Sequence, residues 1–185
     1  MTRVQHVKVK IFAAEAAIDL ADAIPVFHRW IQNRVCDELL VDVADYRHVP
    51  DGPGVMLIGH EAFYSLDRTG LVYDRRAPLD GDAQANLRQA FEAALAACRR
   101  LEQEEPFRGK LRFDTGDCEI AINDRMLAPN TDQTWRELRP EFERLFDTVH
   151  GPGNYTLERT GEPRELFRVR AKTTPSLAAC GPGRR

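Results

Sequence analysis

Asp19-Leu-Ala-Asp-Ala-Ile-Pro-Val-Phe-His-Arg-Trp-Ile31 lies without a gap on Thr134-Trp-Arg-Glu-Leu-Arg-Pro-Glu-Phe-Glu-Arg-Leu-Phe146, matching Pro25 to Pro140, Phe27 to Phe142 and Arg29 to Arg144. Each segment reads as an amphipathic helix. Over residues 19–34 the apolar stripe is Leu20, Ile24, Phe27 and Ile31; over 134–149 it is Trp135, Leu138, Phe142, Leu145, Phe146 and Val149. Pro25 is expected to kink the first helix or to mark the start of its regular part. Both segments open on a capping residue with an acid three positions later, Asp19 with Asp22 and Thr134 with Glu137, where side-chain oxygens can satisfy the free amides of a first turn.

Working outward, residues 4–12 alternate Val7, Val9 and Ile11 with His6, Lys8 and Lys10, the period of a strand buried on one face. Residues 39–46 and 55–58 are rich in branched side chains and flank a turn with Gly52-Pro-Gly54; they read as two central strands. Residues 63–67 and 71–74 form a hairpin around Arg68-Thr-Gly70. A long helix over 82–105 carries Leu87, Phe91, Ala94, Leu95, Cys98 and Leu101 on one stripe and stops at Pro106. A second hairpin joins 111–115 to 118–122 across Gly116-Asp117, and a third joins 155–159 to 165–170.

The expected fold is therefore α+β: antiparallel sheet with three main helices and an internal duplication of a strand-helix-strand-strand unit. Its parts are a first half over 1–79, a connecting helix over 80–106, a second half over 107–172 and a disordered tail over 173–185.

The 185 residues are 43% hydrophobic and 30% charged, enough to bury a sizeable core. With 26 basic against 29 acidic side chains the formal charge is -3, too near neutral for a nucleic-acid binder driven by its overall field. Apolar runs are too short to span a bilayer, and the first ten residues lack the continuous apolar core of a secretory signal. A cytoplasmic protein without nucleic-acid or membrane partners is expected. Cys36, Cys98, Cys118 and Cys180 form no CxxC pair and no zinc spacing with His, so four reduced thiols are expected, Cys98 and Cys118 as buried fillers, with no metal and no cofactor.

Complete catalytic motifs are missing. His60-Glu61 opens like HExxH, but Tyr64 stands in place of the second His and the context is a strand. Gly54-Val-Met-Leu-Ile-Gly59 has phosphate-loop glycine spacing without the Lys and the Ser or Thr that follow. Asp114-Thr115-Gly116 has the letters of an aspartic-protease loop, yet a single copy reads as a hairpin turn. The candidate polar site is Asp45, Tyr46, His48, His60 and Glu61, within a dense group that also holds Asp42 and Tyr64. His48 and His60 flank the Gly-Pro-Gly turn and are expected either to converge at one sheet edge, as acid, base or ligand, or to bond backbone and solvent at turn ends.

Arg29 and Arg144, equivalent in the alignment, brace sheet carboxylates or clamp an anion. Arg168, Arg170 and Lys172 share a face of the last hairpin; with no aromatic interleaved along it, that face reads as solvated. The leading expectation is a binding module for a small molecule or a protein partner, in the seam between the halves of a homo-oligomer. The alternatives are a hydrolase or lyase using the His/Asp/Glu group, and a structural homo-oligomer that exposes apolar surface at Trp30, Trp135 or the long helix.

Overall fold

Strict alternation of Val and Lys gives the central strand two unlike faces, and everything else is laid against one of them. The computed structural model describes residues 3–173. In chain order its elements are β1 (Val7–Ala16), α1 (Ala23–Asn33), β2 (Leu40–Tyr46), β3 (Gly54–Gly59), β4 (Ala62–Asp67), β5 (Gly70–Arg75), α2 (Ala83–Gln103), β6 (Leu111–Ile122), α3 (Asp132–His150), β7 (Tyr155–Thr160) and β8 (Phe167–Thr173). The strands form one eight-stranded sheet in the order β2-β3-β4-β5-β1-β6-β8-β7. Every neighbouring pair is antiparallel. The expected α+β class with antiparallel sheet and three main helices is what the chain forms.

One row of directly opposed residues, Leu57, Tyr64, Tyr73, Val9, Ile120 and Val169, crosses six strands and is buried throughout. Helices cover that face. α2 packs on β1, β5 and β6, α1 on β2 and β3, and α3 on α2 and β7. The aromatic rings interlock there: Phe91 meets Phe146 edge-on at 5.7 Å, and Phe142 meets Phe167 at 6.2 Å. Cys98 and Cys118 are buried free thiols in this core, and burial raises the pKa of each.

The connectivity of the two sides is alike. In each, a first strand (β1 or β6) leads into a helix, and the last strand (β5 or β8) returns beside the first with its hairpin partner (β4 or β7) outside it. The first side adds β2 and β3 beyond that. The aligned helices differ in detail. Asp19 caps a short 3-10 turn, Leu20–Asp22, by accepting from the Ala21 amide, and Pro25 falls in the first turn of α1 where no amide is needed. α3 is capped by Thr131 rather than Thr134, and Pro140 lies well inside it.

Three expectations need correction. Residues 111–122 are one strand, not a hairpin: both ends pair with β1, and between Ile11↔Cys118 and Ala13↔Phe113 the single residue Phe12 faces Asp114, Thr115, Gly116 and Asp117. Asp114 Oδ1 accepts from the Gly116 amide at 2.9 Å, so the turn residues make a bulge instead of a reversal. β2 is an edge strand, not a central one, with Val41 57% exposed on it and Leu39 66% exposed just before it; a branched run alone does not tell edge from centre. The first strand, expected over residues 4–12, starts at Val7 and runs on through the small residues after Phe12 to Ala16. The tail expected from residue 173 on, with Cys180, lies outside the described residues apart from Thr173, which ends β8.

Two faces of one strand should respond differently to truncation. Ile120→Ala, in the covered row, is expected to cost roughly 2–5 kcal/mol in urea unfolding, whereas Glu119→Ala, one residue away on the open face, should change stability by no more than about 0.5 kcal/mol. Equal losses at both positions would contradict the layer arrangement.

Candidate functional site

Among the described residues no helix covers the other face of the sheet, and alternation decides what that face carries. In one row Phe63, Asp74, Lys8, Ala121 and Arg168 stand opposite one another across β4, β5, β1, β6 and β8. The next row runs Met56, Ser65, Val72, Lys10, Glu119 and Arg170. All of these but Arg170 floor a trough of about 460 Å³, which the loop residues Asp51, Gly52 and Pro53 and, from the second side, Leu166 also line. That volume falls in the range of small-molecule sites. The trough crosses the β1–β6 junction, the line where the two sides of the sheet meet.

Charges in the trough and beside it on the open face are unequally satisfied. Lys10 Nζ donates to Thr69 Oγ1 at 2.6 Å and to Asp67 Oδ2 at 3.2 Å, while Asp67 Oδ1 accepts from the Thr69 and Gly70 amides. Arg170 grips Asp117 with two bonds of 2.9 and 2.8 Å and lies 4.4 Å over the Phe12 ring. Burial opposes ionisation of Asp117, but Arg170 and Lys172 outweigh it and hold the carboxyl below its ordinary range. Lys8 and Arg168 are different. Each stands 3.9 Å from its acid, Asp74 and Glu119 respectively, beyond hydrogen-bond reach.

The expected polar site is dispersed. Tyr46 and His48 lie at the β2–β3 turn, while His60 and Glu61 lie beyond the far end of β3, a six-residue strand that spans about 20 Å. Asp45 is held by Arg47 at 2.9 and 2.8 Å, Glu61 by Arg75 at 3.1 Å, and both histidines are exposed. Arg29 bonds Glu104 at the C-terminal end of α2, and Arg144 bonds Glu141, which sits beside Gln84 at its N-terminal end. A helix of 21 residues, about 30 Å long, runs between them, so they share no anion.

Sequence reasoning missed two features. Arg170 does have an aromatic neighbour, Phe12, but it comes from β1, and reading along β8 alone could not find it. Glu38 goes unremarked in the sequence, yet its carboxylate accepts from the Glu61 and Ala62 amides at 3.1 and 3.0 Å and from the Tyr64 hydroxyl at 2.6 Å. It clamps the β3–β4 turn. Tyr64 and Cys36 line a second, mostly apolar recess of about 160 Å³ between α1 and α2, with Trp30, Ala93, Ala97 and Arg100. Burial raises the Cys36 thiol pKa, which keeps it a weak nucleophile. Trp30, expected to be exposed in a structural subunit, is buried and donates to Glu104 at 2.7 Å.

No protein-family model matches the chain, and no curated protein matches it.

The Asp45–Arg47 pair has a measurable signature. Hydrogen bonds from Arg47 hold the Asp45 carboxyl at about 2 instead of 3.8, so the small contribution of the pair is present above the ordinary value and fades as the pH falls towards 2. Carboxyl carbon NMR should show this titration in the intact protein and its return to the usual aspartate range in Arg47→Ala; an ordinary midpoint in the intact protein would mean the pair is open in solution.

Proposed function

We propose that this protein is a binding module that holds a small molecule in the trough on the open sheet face, where the two sides of the fold adjoin. The single observation that carries this reading is the uncovered, concave floor crossing the β1–β6 junction, with an apolar patch of Met56, Phe63 and Val72 beside unsaturated charges. Such a combination is what a preformed site supplies: apolar area for affinity and a few polar groups for orientation. The like connectivity of the two sides supports an internal duplication, which would place the trough on its pseudo-twofold axis. We place the protein in the cytoplasm, with its thiols reduced. The hydrolase or lyase reading draws no support from side chains at opposite ends of β3.

Amide NMR with a mixed set of organic acids, amines, sugars and nucleosides tests the reading. Shifts are expected to concentrate on β1, β4, β5 and β6, and Val72→Trp, which fills the trough, should abolish them. Shifts confined to the recess at Trp30 and Cys36, or no shifts at all, would remove it.

A second reading, self-association, has one observation in its favour. Among the described residues β2 has no strand on its outer side, with Val41 exposed on it and Leu39 exposed just before it, the kind of surface on which another strand adds. If two copies join there, analytical ultracentrifugation will give a dimer for the intact protein and a monomer for Val41→Lys; a monomer in both cases rejects it.

A further inference from the structure

Whether the trough favours one charge is decided by which groups stand outermost. In the two loose pairs the cations are the more exposed partners: side-chain exposure is 40% for Lys8 against 16% for Asp74, and 37% for Arg168 against 24% for Glu119. Lys10 and Asp67 are nearly level at 23% and 21%, and beside the trough Arg170 and Lys172 again stand above Asp117. On the sheet itself carboxylates thus lie low and ammonium and guanidinium groups stand above them, so a molecule approaching the floor meets positive charge first, while Asp51 sets an exposed carboxylate on the loop at the rim.

Lys8 and Arg168 flank Ala121 from opposite sides in one row, and neither donates a hydrogen bond to its acid. The methyl of Ala121 is the smallest side chain in that row. Guanidinium and ammonium groups brought to the two sides of a small residue match a carboxylate with two acceptor oxygens. Past Lys8 and its low-lying neighbour Asp74, the same floor turns apolar at Phe63, Val72 and Met56. Resting on the reading of the trough as a binding site, we propose that its ligand is an amphipathic carboxylate, its acid head between Lys8 and Arg168 over Ala121 and its apolar body along Val72, Phe63 and Met56.

A matched pair of probes isolates the head group. Decanoate and decylammonium share an apolar chain and differ in charge, and each is titrated into the intact protein at low salt with amide NMR and calorimetry. Decanoate should bind with shifts at Lys8, Val72, Ala121 and Arg168, and decylammonium should bind at least about tenfold more weakly. Lys8→Met and Arg168→Gln should each weaken decanoate by about tenfold, while Arg29→Gln, on the other face, leaves it unchanged. Both variants lie on the surface, and their amide spectra report that they fold.

Equal or tighter binding of decylammonium, or decanoate binding that ignores Lys8→Met and Arg168→Gln, overturns the carboxylate while leaving a small-molecule trough in place. Binding of a short oligothymidylate across the same residues, without decanoate, overturns it in favour of a nucleic-acid surface. Silence of the trough towards both probes and towards the mixed compound set removes the binding reading itself.

Discussion

The antiparallel pairing of β1 with β6 is the constraint on which the other parts depend. β1 is hydrogen-bonded on both sides, to β5 and to β6, so its register fixes the two sides of the sheet relative to each other. Because side chains alternate, that register also sets the content of both faces at once: Val7, Val9 and Ile11 go beneath the helices, and Lys8, Lys10 and Phe12 go to the open side. A slip by one residue would place two ammonium groups in an apolar core, at a cost that no nearby acid could offset. The core and the trough are therefore two results of one pairing.

The bulge in β6 belongs to the same constraint. Four residues of β6 crowd opposite Phe12, so the strand bends where Asp117 meets Arg170 and where Arg170 lies over the Phe12 ring. Helix placement completes the asymmetry. α2 lies across β1, β5 and β6, the middle of the sheet, while α1 and α3 cover its flanks. All three helices are spent on one face, and the opposite face keeps its long charged side chains. Ala121, between Lys8 and Arg168 in its row, is buried on the face that carries no helix among the described residues.

Much of this was legible in the sequence, for a physical reason. Periodicity reports which side of a segment is apolar, and it located β1, the β4–β5 and β7–β8 hairpins and all three helices. It carries no information about neighbours in space. The order β5-β1-β6-β8 was out of reach, and with it the rows that bring Lys8, Ala121 and Arg168 together. The reading of Asp114-Thr115-Gly116 as a reversal failed because the same local chemistry serves turns and bulges, and only the partner strand decides between them. His48 and His60 looked adjacent because a turn separates them in sequence. The turn actually leads into β3, whose whole length comes between them.

Glu38 shows how far a local device can carry this arrangement. Its carboxylate takes the two amides that open β4 and the hydroxyl of Tyr64, whose ring packs edge-on against Tyr73 at 5.2 Å. Gly59 is a glycine because a Cβ there would run into that carboxylate and the Ala62 carbonyl. The β3–β4 turn is thereby pinned to the core from the helix side. Pinning it fixes the register of β4 against β5, and hence the row in which Phe63 stands opposite Asp74 on the other face. The floor of the trough is held in place by contacts made underneath it and by Lys10 and Asp67 at the β4–β5 turn, which leaves Lys8 and Arg168 without a hydrogen bond to their acids.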